Sequence, residues 1–377
     1  MASGTSLGSD NGMGMAMAMA VLESKTLQHG PIEALFTVDE ETTMEGADKC
    51  EADFNSTIIV NLDSEEDSAV CVSSAGGFES SLYMPIQRTE VSGEFVTIVV
   101  KDLESGHSGV NINEERGNAI KVMGRIINYA ARRLGKSFNI VTFTAGRARN
   151  VIPASAKASI IVDSANDWIK LITECFEIVK DEYRTVDPNM TLVINHEKQV
   201  PSEAVTTQDS AKIVAAILTA IHGVVRNTPG IDLVQTSTNF ALAELTADTF
   251  DLSFFSRSSV ESEMDLLHEI LVNYAELLGA RISSPNAKFC GWKPNLEAHS
   301  LQVFKDVHKE LFGEEPKVYG IHAGLECSII MSKRPAGSME ALSIGPHIAY
   351  PHSVQEQCGI SSVCKTMKWL TRALEVL

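Results

Sequence analysis

The stretch that decides the fold is TIIVNLDSEED, residues 57–67. Its first six residues are mostly β-branched or apolar, as in a buried strand, and acidic residues then crowd the next five positions. A second apolar run, IEALFTV at 32–38, is likewise followed by Asp39, Glu40 and Glu41. Helical sequence precedes both runs, which indicates a βαβ sheet, and such sheets gather ligand groups at the carboxyl ends of their strands. The two acidic ends therefore favour a cation site at the edge of an α/β sheet over a solvated acidic tail.

The order of the predicted elements changes after residue 77. Residues 94–196 run strand, helix, strand, strand, helix, strand, which is the ferredoxin-like split motif. A second, looser set of helices and strands follows to residue 279. We therefore predict an α/β catalytic domain at 1–77 and 288–377, split by an inserted α+β lid domain at 78–287. Predicted helices cover 12–26, 117–134, 165–185, 208–226, 260–279, 299–312 and 357–376, and predicted strands cover 32–38, 57–62, 94–102, 137–144, 155–163, 190–196, 233–246, 249–257, 317–321 and 340–344.

The composition limits the classes of protein to which the chain can belong. The 377 residues, 44% of them hydrophobic, are enough for two domains with sizeable cores, and the formal net charge is −18. That charge argues against nucleic-acid partners and against anionic membrane surfaces, because both select basic patches. No apolar run approaches the roughly 18 residues of a membrane span, and no signal peptide is visible at the start.

The cysteines point to a reducing compartment. There are seven, an odd number, and no two are spaced as CxxC. Free thiols in the cytoplasm are therefore expected, rather than a disulfide framework or a structural zinc knot.

Four residues have the chemistry of metal ligands: Asp10, Glu41, Asp63 and His352. Each lies at a predicted strand end or in a turn rich in Gly or Pro, and water-activating metal sites use oxygen and imidazole ligands with a nearby base. Glu40 can supply that base, because both it and its neighbour can reach one cavity from an irregular turn. Interpretations without a metal site stay open at this point. GSDNG at 8–12 is also strong turn chemistry, and no HExxH, HxH or HxD motif occurs.

A resemblance narrows these alternatives. LGSDNGMGMA at 7–16 resembles the segment that carries the bridging aspartate in cytosolic aminoacyl-histidine dipeptidases, which are dizinc metallopeptidases that cleave Xaa-His dipeptides such as β-Ala-His. Further similar segments follow in order along nearly the whole chain: TVDEETTMEGA (37–47), NLDSEE (61–66), SGHSG (105–109), RNVIP (149–153), IHAGLEC (321–327), SIGP (343–346) and PHS (351–353). The resemblance implies a zinc-peptidase-like mixed sheet divided by a lid, and it leaves open a homodimer formed through that lid.

The resemblance also implies roles for the candidate ligands. Asp10 bridges two Zn²⁺ ions, with Mn²⁺ or Co²⁺ as substitutes, and its peptide bond to Asn11 is cis. Glu41 and His352 bind the second ion, Asp63 binds the first, and Glu40 is the general base.

Four further residues would contact a small dipeptide substrate. His107 would stabilise the oxyanion of the scissile carbonyl, and Asn150 would hold the carbonyl region. Arg257 would bind the terminal carboxylate, and Glu326 would receive the amino group. Whether His107 serves its own chain or a partner stays open.

The chain departs from the family pattern in one respect. Family members carry a His-x-Asp motif after an early strand, within a further N-terminal segment, and this sequence has no His-x-Asp. The first ion would then keep only Asp10 and Asp63 as ligands, so we expect an N-terminally truncated fragment or degenerate product with impaired activity. The alternatives are a related tripeptidase or N-acyl amino acid deacylase, and a non-catalytic homologue that binds a metal or a peptide.

Overall fold

The computed structural model describes residues 2–41, 44–51, 53–197, 202–335 and 337–377. The chain divides into two compact units. The first consists of Met1–Gly76, Thr228–Leu233 and Phe289–Leu377, and the second of Gly77–Asn227 and Val234–Lys288. Thr42 and Thr43, which belong to one of the segments that carry the resemblance, lie outside the described residues.

The helices and strands are as follows. The helices are α1 (Ser9–Glu23), α2 (Glu45–Asp48), α3 (Ala119–Leu134), α4 (Ala165–Glu182), α5 (Thr207–Thr219), α6 (Glu261–Leu278), α7 (His299–Phe312), α8 (Glu326–Ser332) and α9 (Ile360–Val376), with a 3-10 turn at Ile112–Glu114. The strands are β1 (Ile58–Asn61), β2 (Ala69–Ser74), β3 (Gly76–Pro85), β4 (Arg88–Val91), β5 (Glu94–Lys101), β6 (Asn139–Ala145), β7 (Ala156–Val162), β8 (Thr191–Glu197), β9 (Ser202–Val205), β10 (Gly223–Asn227), β11 (Val234–Leu245), β12 (Thr249–Ser258), β13 (Arg281–Ile282), β14 (Asn286–Phe289), β15 (Lys317–Ile321), β16 (Glu340–Ser343), β17 (Ile348–Ala349) and β18 (Gln357–Cys358).

The first unit is built on a four-stranded sheet in the order β1-β16-β2-β15. The outer pairs β1–β16 and β15–β2 are parallel, and β16 runs antiparallel to β2. Every residue of β2 is buried, as expected for a strand covered on both faces. Phe304 of α7 and Trp369 of α9 pack with Val70, Val72 and Leu342 of the sheet. This core fixes the strand ends, where the acidic residues lie.

The predicted strand at 32–38 is wrong. These residues form no strand, and Leu35, Phe36 and Val38 are 41%, 45% and 68% exposed. A run of apolar residues becomes a strand only where its backbone pairs with a neighbouring strand. Within the described residues, no strand pairs with residues 32–38, and β1 is paired on one side only, with β16. The acids that follow nevertheless reach the predicted site, because the Val38 carbonyl accepts a hydrogen bond from Gly46 and anchors the loop.

The second unit contains one ten-stranded sheet. Eight strands follow the order β13-β3-β12-β11-β6-β7-β5-β8, with β10 on β11 and β14 on β3. The segment β5-α3-β6-β7-α4-β8 contributes neighbouring strands in the order β6-β7-β5-β8, all antiparallel, which confirms the ferredoxin-like unit. One continuous core, with Trp168, Phe240 and Phe254 at full burial, lies between this sheet and its helices.

Helix α5 ends earlier than the sequence predicts. The predicted helix runs to residue 226, whereas α5 stops at Thr219 and β10 begins at Gly223. The β-branched pair Val224–Val225 extends alongside β11 instead. Lys121 closes the helix end, because its ammonium donates to the carbonyls of Ile217, Leu218 and Ala220.

Two expectations concern the chain as a whole. All seven cysteines are free thiols, as their odd number predicts. Among the described residues, no helix combines the length and the apolar character needed to cross a bilayer.

Candidate metal centre

Asp10 lies at the start of α1, where the backbone is not helical. The Asp10–Asn11 peptide bond is cis, as the resemblance implies, and both residues lie outside helical φ/ψ values. The Asn11 side chain accepts a hydrogen bond from the Gly14 N–H at 3.0 Å, which caps the regular part of the helix. The Asp10 carboxylate is therefore presented at a helix end, with 9% of its side chain exposed.

His352 and Glu41 meet Asp10 from distant parts of the sequence. His352 lies in the loop between β17 and β18 with a positive φ of 58°. Its Nε2 lies 2.9 Å from Asp10 Oδ2 and 3.0 Å from Glu41 Oε2. The three ligand atoms all fall within 4.8 Å of one another. An imidazole nitrogen and two carboxylate oxygens thus lie close together. Atoms of these types can bind one divalent transition metal ion.

Asp63 follows β1, as the strand pattern predicts. The Asn61 side chain accepts a hydrogen bond from the Asp63 N–H at 3.0 Å and fixes the turn. Burial, with Glu40 and Asp10 next in effect, raises the pKa of Asp63 to about 8. Its Oδ1 is buried and has no hydrogen-bond partner among the described residues. A buried carboxylate oxygen without a donor is a candidate ligand for a metal ion.

Glu40 lies in the same acidic cluster. The chain turns at Asp39, which has a φ of 59°, and the Glu40 side chain is directed toward its acidic neighbours. Burial, then the charges of Glu41, Glu326 and Asp10, raise the pKa of Glu40 to about 7. A carboxylate with a pKa near neutrality is suited to exchange protons with water at physiological pH.

Glu326 begins α8 beside this cluster. Its Oε2 accepts a hydrogen bond from Thr37 Oγ1 at 2.9 Å, while Oε1 is buried without a partner among the described residues. Burial raises the pKa of Glu326. Glu65, which the sequence did not single out, lies near Asp10 as well, and burial followed by the Asp10 charge raises its pKa.

These residues fit a divalent cation. The cluster holds several carboxyl groups whose pKa values are raised, together with orphaned buried oxygens. In the described part of the chain, His352 is the only basic side chain in ion-pair contact with Asp10 or Glu41. A bound cation would offset these negative charges and favour the ionised form of the carboxyl groups.

The second unit brings together the other predicted residues. The backbone N–H groups of Gly109 and Val110 donate to His107 Nδ1 at 3.3 and 3.2 Å. Burial and the charge of Arg257 lower the pKa of His107 to about 4, which favours a neutral ring.

Arg257 is a buried guanidinium on β12. It is 4% exposed, its Nη2 lies 3.1 Å from His107 Nε2, and its Nε donates to Ser108 Oγ at 3.3 Å. Among the described residues of the unit, no carboxylate forms an ion pair with it. Burial and the charge of Arg149 lower the pKa of Arg257 to about 10. Asn150 lies next to this pair: its carbonyl accepts from the Ser108 N–H at 2.8 Å, and its side chain is exposed.

Sequence reasoning also missed Glu356, which lies beside the candidate metal centre. Glu356 is 2% exposed, and its carboxylate accepts hydrogen bonds from the backbone that carries Asp10. It lies four positions after His352, but a single Glu in a polar loop has no pattern that separates it from a solvated acid.

The chain is similar to known peptidases over nearly its whole length. The model of Peptidase family M20/M25/M40 matches residues 2–376. The cytosol non-specific dipeptidase of Escherichia coli (strain K12) is 33% identical over 381 residues, which cover 99% of this chain and 77% of that protein. The structure of an aminoacylhistidine dipeptidase from Vibrio alginolyticus is similar with a TM-score of 0.91 and 31% identity, over 99% of this chain and 76% of that one. The predicted lineage and mixed α/β fold are confirmed.

Proposed function

Because the chain belongs to peptidase family M20/M25/M40, we propose that it hydrolyses dipeptides of the Xaa-His type, such as β-Ala-His, at the centre formed by Asp10, Glu41 and His352. Membership makes the chain a metallopeptidase-type hydrolase of small peptides. The convergence of three ligand atoms within 4.8 Å carries the proposal. The names of the two relatives, a non-specific dipeptidase and an aminoacylhistidine dipeptidase, support the substrate class. The name of the Escherichia coli relative supports a cytosolic location for this chain.

The proposed ions are two Zn²⁺, with Mn²⁺ or Co²⁺ as substitutes. Asp10 would contact both, Glu41 and His352 the second, and Asp63 the first. A bound ion of this kind polarises a carbonyl and lowers the pKa of water. Asp63 Oδ1, buried without a partner, supports its assignment as a ligand.

Glu40 is the proposed general base. It accepts the proton of the attacking water and then delivers a proton to the leaving amine. Its position supports this role, because Glu40 is half-buried beside Asp10, Glu41 and Glu326, whose charges act on it.

The second unit supplies the proposed substrate contacts. His107, whose lowered pKa favours a neutral imidazole, would stabilise the developing oxyanion of the scissile carbonyl. Arg257 would bind the terminal carboxylate, since a buried guanidinium without an anionic partner favours an anionic ligand. Asn150 would hold the carbonyl region, and in the first unit Glu326 would receive the free amino group.

The two ions should bind with unequal affinity. Among the described residues, the candidate ligands for the first ion are Asp10 and Asp63, and the sequence contains no His-x-Asp. We therefore expect one tightly bound Zn²⁺ per chain and a second that dissociates readily, so that turnover rises on addition of Zn²⁺ beyond one equivalent.

A substrate panel tests the proposed function. The zinc-loaded chain is incubated with β-Ala-His, β-Ala-Ala, a tripeptide and N-acetyl-β-Ala-His, and the released amino acids are quantified, with the Glu40→Ala variant as the blank. We expect hydrolysis of β-Ala-His ahead of the other substrates and none of the acetylated peptide. Faster cleavage of the acetylated peptide would make the chain a deacylase. Bound zinc with no hydrolysis of any member would make it a non-catalytic homologue.

A further inference from the structure

Glu356 is the most heavily hydrogen-bonded carboxylate near the metal centre. Its Oε2 accepts from the N–H groups of Leu7 at 2.7 Å and Gly8 at 3.1 Å. Its Oε1 accepts from the Ser9 N–H at 2.8 Å, from the Ser9 hydroxyl and, at 3.3 Å, from the Asp10 N–H. The buried Glu356 carboxylate thus accepts hydrogen bonds from all four backbone N–H groups of residues 7–10.

The position of Glu356 joins two segments that are far apart in the sequence. Asp10 and His352 are separated by 342 positions, and their side chains meet at 2.9 Å. Glu356 lies on the His352 loop, where its own N–H donates to the carbonyl of Ser353 at 3.2 Å. Its carboxylate therefore ties the loop of one ligand to the backbone of the other.

The Glu356 carboxylate also introduces an unfavourable electrostatic interaction with the other acidic groups. A second carboxylate beside Asp10 adds negative charge to a centre that already holds Glu40, Glu41 and Asp63. Backbone N–H groups compensate that charge, and they are directed at Glu356 because the chain at Gly8 has the left-handed φ of 74°. The arrangement orders the three residues before α1 in one conformation.

We propose that Glu356 is a positioning residue, which holds Asp10 at the distance from His352 that lets both bind one ion. The inference rests on the proposed function of the Asp10, Glu41 and His352 cluster. In this role Glu356 acts through the backbone at Asp10 and not as a metal ligand. Groups of this kind, which orient a ligand from behind, typically change metal affinity about 10- to 100-fold when they are removed.

The test compares Glu356→Gln with Glu340→Gln. The first substitution keeps the volume but turns one acceptor oxygen into a donor that faces N–H groups. Glu340 is a matched control in the same unit, because it accepts from the N–H groups of His299 and Ser300 at 3.1 and 2.8 Å at the start of α7, away from the predicted ligands. Zn²⁺ affinity is measured by competition with a chromophoric chelator, the visible absorption of the Co²⁺-substituted protein is recorded, and the unfolding temperature is measured without metal.

We expect Glu356→Gln to weaken Zn²⁺ binding about tenfold or more and to alter the Co²⁺ absorption, whereas Glu340→Gln lowers the unfolding temperature with Zn²⁺ affinity and Co²⁺ absorption unchanged. Ser9→Ala, which removes a single donor, should reduce Zn²⁺ affinity about fivefold and serves if the first variant fails to fold. Wild-type Zn²⁺ affinity in both Glu356→Gln and Ser9→Ala would overturn the positioning role and leave the metal centre intact. If the wild-type chain binds no Zn²⁺, the metal centre and the role of Glu356 fall together.

Discussion

Glu40 and Glu41 are adjacent residues with different surroundings. Glu41 contacts His352 at 3.0 Å and is about half exposed, whereas burial, followed by the charges of neighbouring carboxyl groups, raises the pKa of Glu40 to about 7. Neighbours on an irregular turn can therefore divide two tasks, metal binding and proton transfer. The division is a property of the contacts of each residue and not of its type.

Substitution of the two residues separates these tasks. Glu40→Ala should lower the turnover number by about 10²- to 10⁴-fold with zinc content retained, because it removes only the proton acceptor. Glu41→Ala should lose zinc as well as turnover, because it removes a ligand. Zinc content by mass spectrometry and the rate of β-Ala-His cleavage are measured on the same samples. Equal zinc loss in both variants would contradict the assignment.

Arg257 gives a second prediction at the same scale. Arg257→Met keeps the length of the side chain and removes the buried charge, so KM for β-Ala-His should rise about 10- to 100-fold, the value of a charged hydrogen bond pair. KM for the β-Ala-His amide, which has no terminal carboxylate, should be high in the wild type and nearly unchanged in the variant. The exposed Arg281, stacked on Tyr83, provides the control Arg281→Met. An equal rise in KM for acid and amide would exclude carboxylate binding by Arg257.

Helix α1 reaches its position because one glycine allows close packing. A Cβ atom at Gly14 would lie 2.7 Å from the Leu62 carbonyl oxygen, next to Asp63, and 2.3 Å from the Asn11 side chain. Gly12, two positions earlier in the same helix, has nothing within 4 Å of its Cβ position. The two glycines therefore differ in packing although both weaken the helix intrinsically.

Alanine substitutions of these glycines should have opposite effects. Gly12→Ala should stabilise the first unit by about 0.5–1 kcal/mol, the gain in helix propensity. Gly14→Ala should destabilise it by about 1–3 kcal/mol and weaken Zn²⁺ binding, because the helix must move away from the residues that hold Asp63. Unfolding in urea and chelator competition measure both quantities. Stabilisation by Gly14→Ala would show that the helix is not fixed at this point.

The elements also show how far the sequence predicts the structure. The ferredoxin-like unit was predictable because its helices are amphipathic and its strands are bounded by turns, so local pattern and tertiary packing agree. Residues 32–38 were not, because their pattern says nothing about which strand is available to pair with them. The proximity of Asp10, Glu41 and His352 was predictable from residue type and resemblance. Glu356 was not, because its role depends on backbone N–H groups more than 340 positions away.

Among the described residues, the two largest hydrophobic cores belong to different units. One cluster lies around Phe304 and Trp369 in the first unit, and a larger one lies around Trp168 and Phe254 in the second. All the predicted metal ligands belong to the first unit. The two cores should therefore respond differently to metal.

Calorimetry tests this difference. We expect two unfolding transitions, of which only one moves when Zn²⁺ is added. At a Zn²⁺ concentration 100 times the dissociation constant, that transition should gain about 2.7 kcal/mol and rise by about 5–10 °C relative to the chelator-treated protein. Gly14→Ala should lower the same transition. If zinc moved both transitions equally, the ligands would not be confined to one unit.

The central claim is that Asp10, Glu41 and His352 bind one metal ion. The most direct measurement is an anomalous difference map from a crystal of the zinc-loaded chain, collected on both sides of the zinc absorption edge. The account predicts a strong peak about 2.0–2.2 Å from Asp10 Oδ2, Glu41 Oε2 and His352 Nε2, with a weaker peak beside Asp63. A map with no peak between these three atoms, in a protein shown to contain zinc, would contradict it.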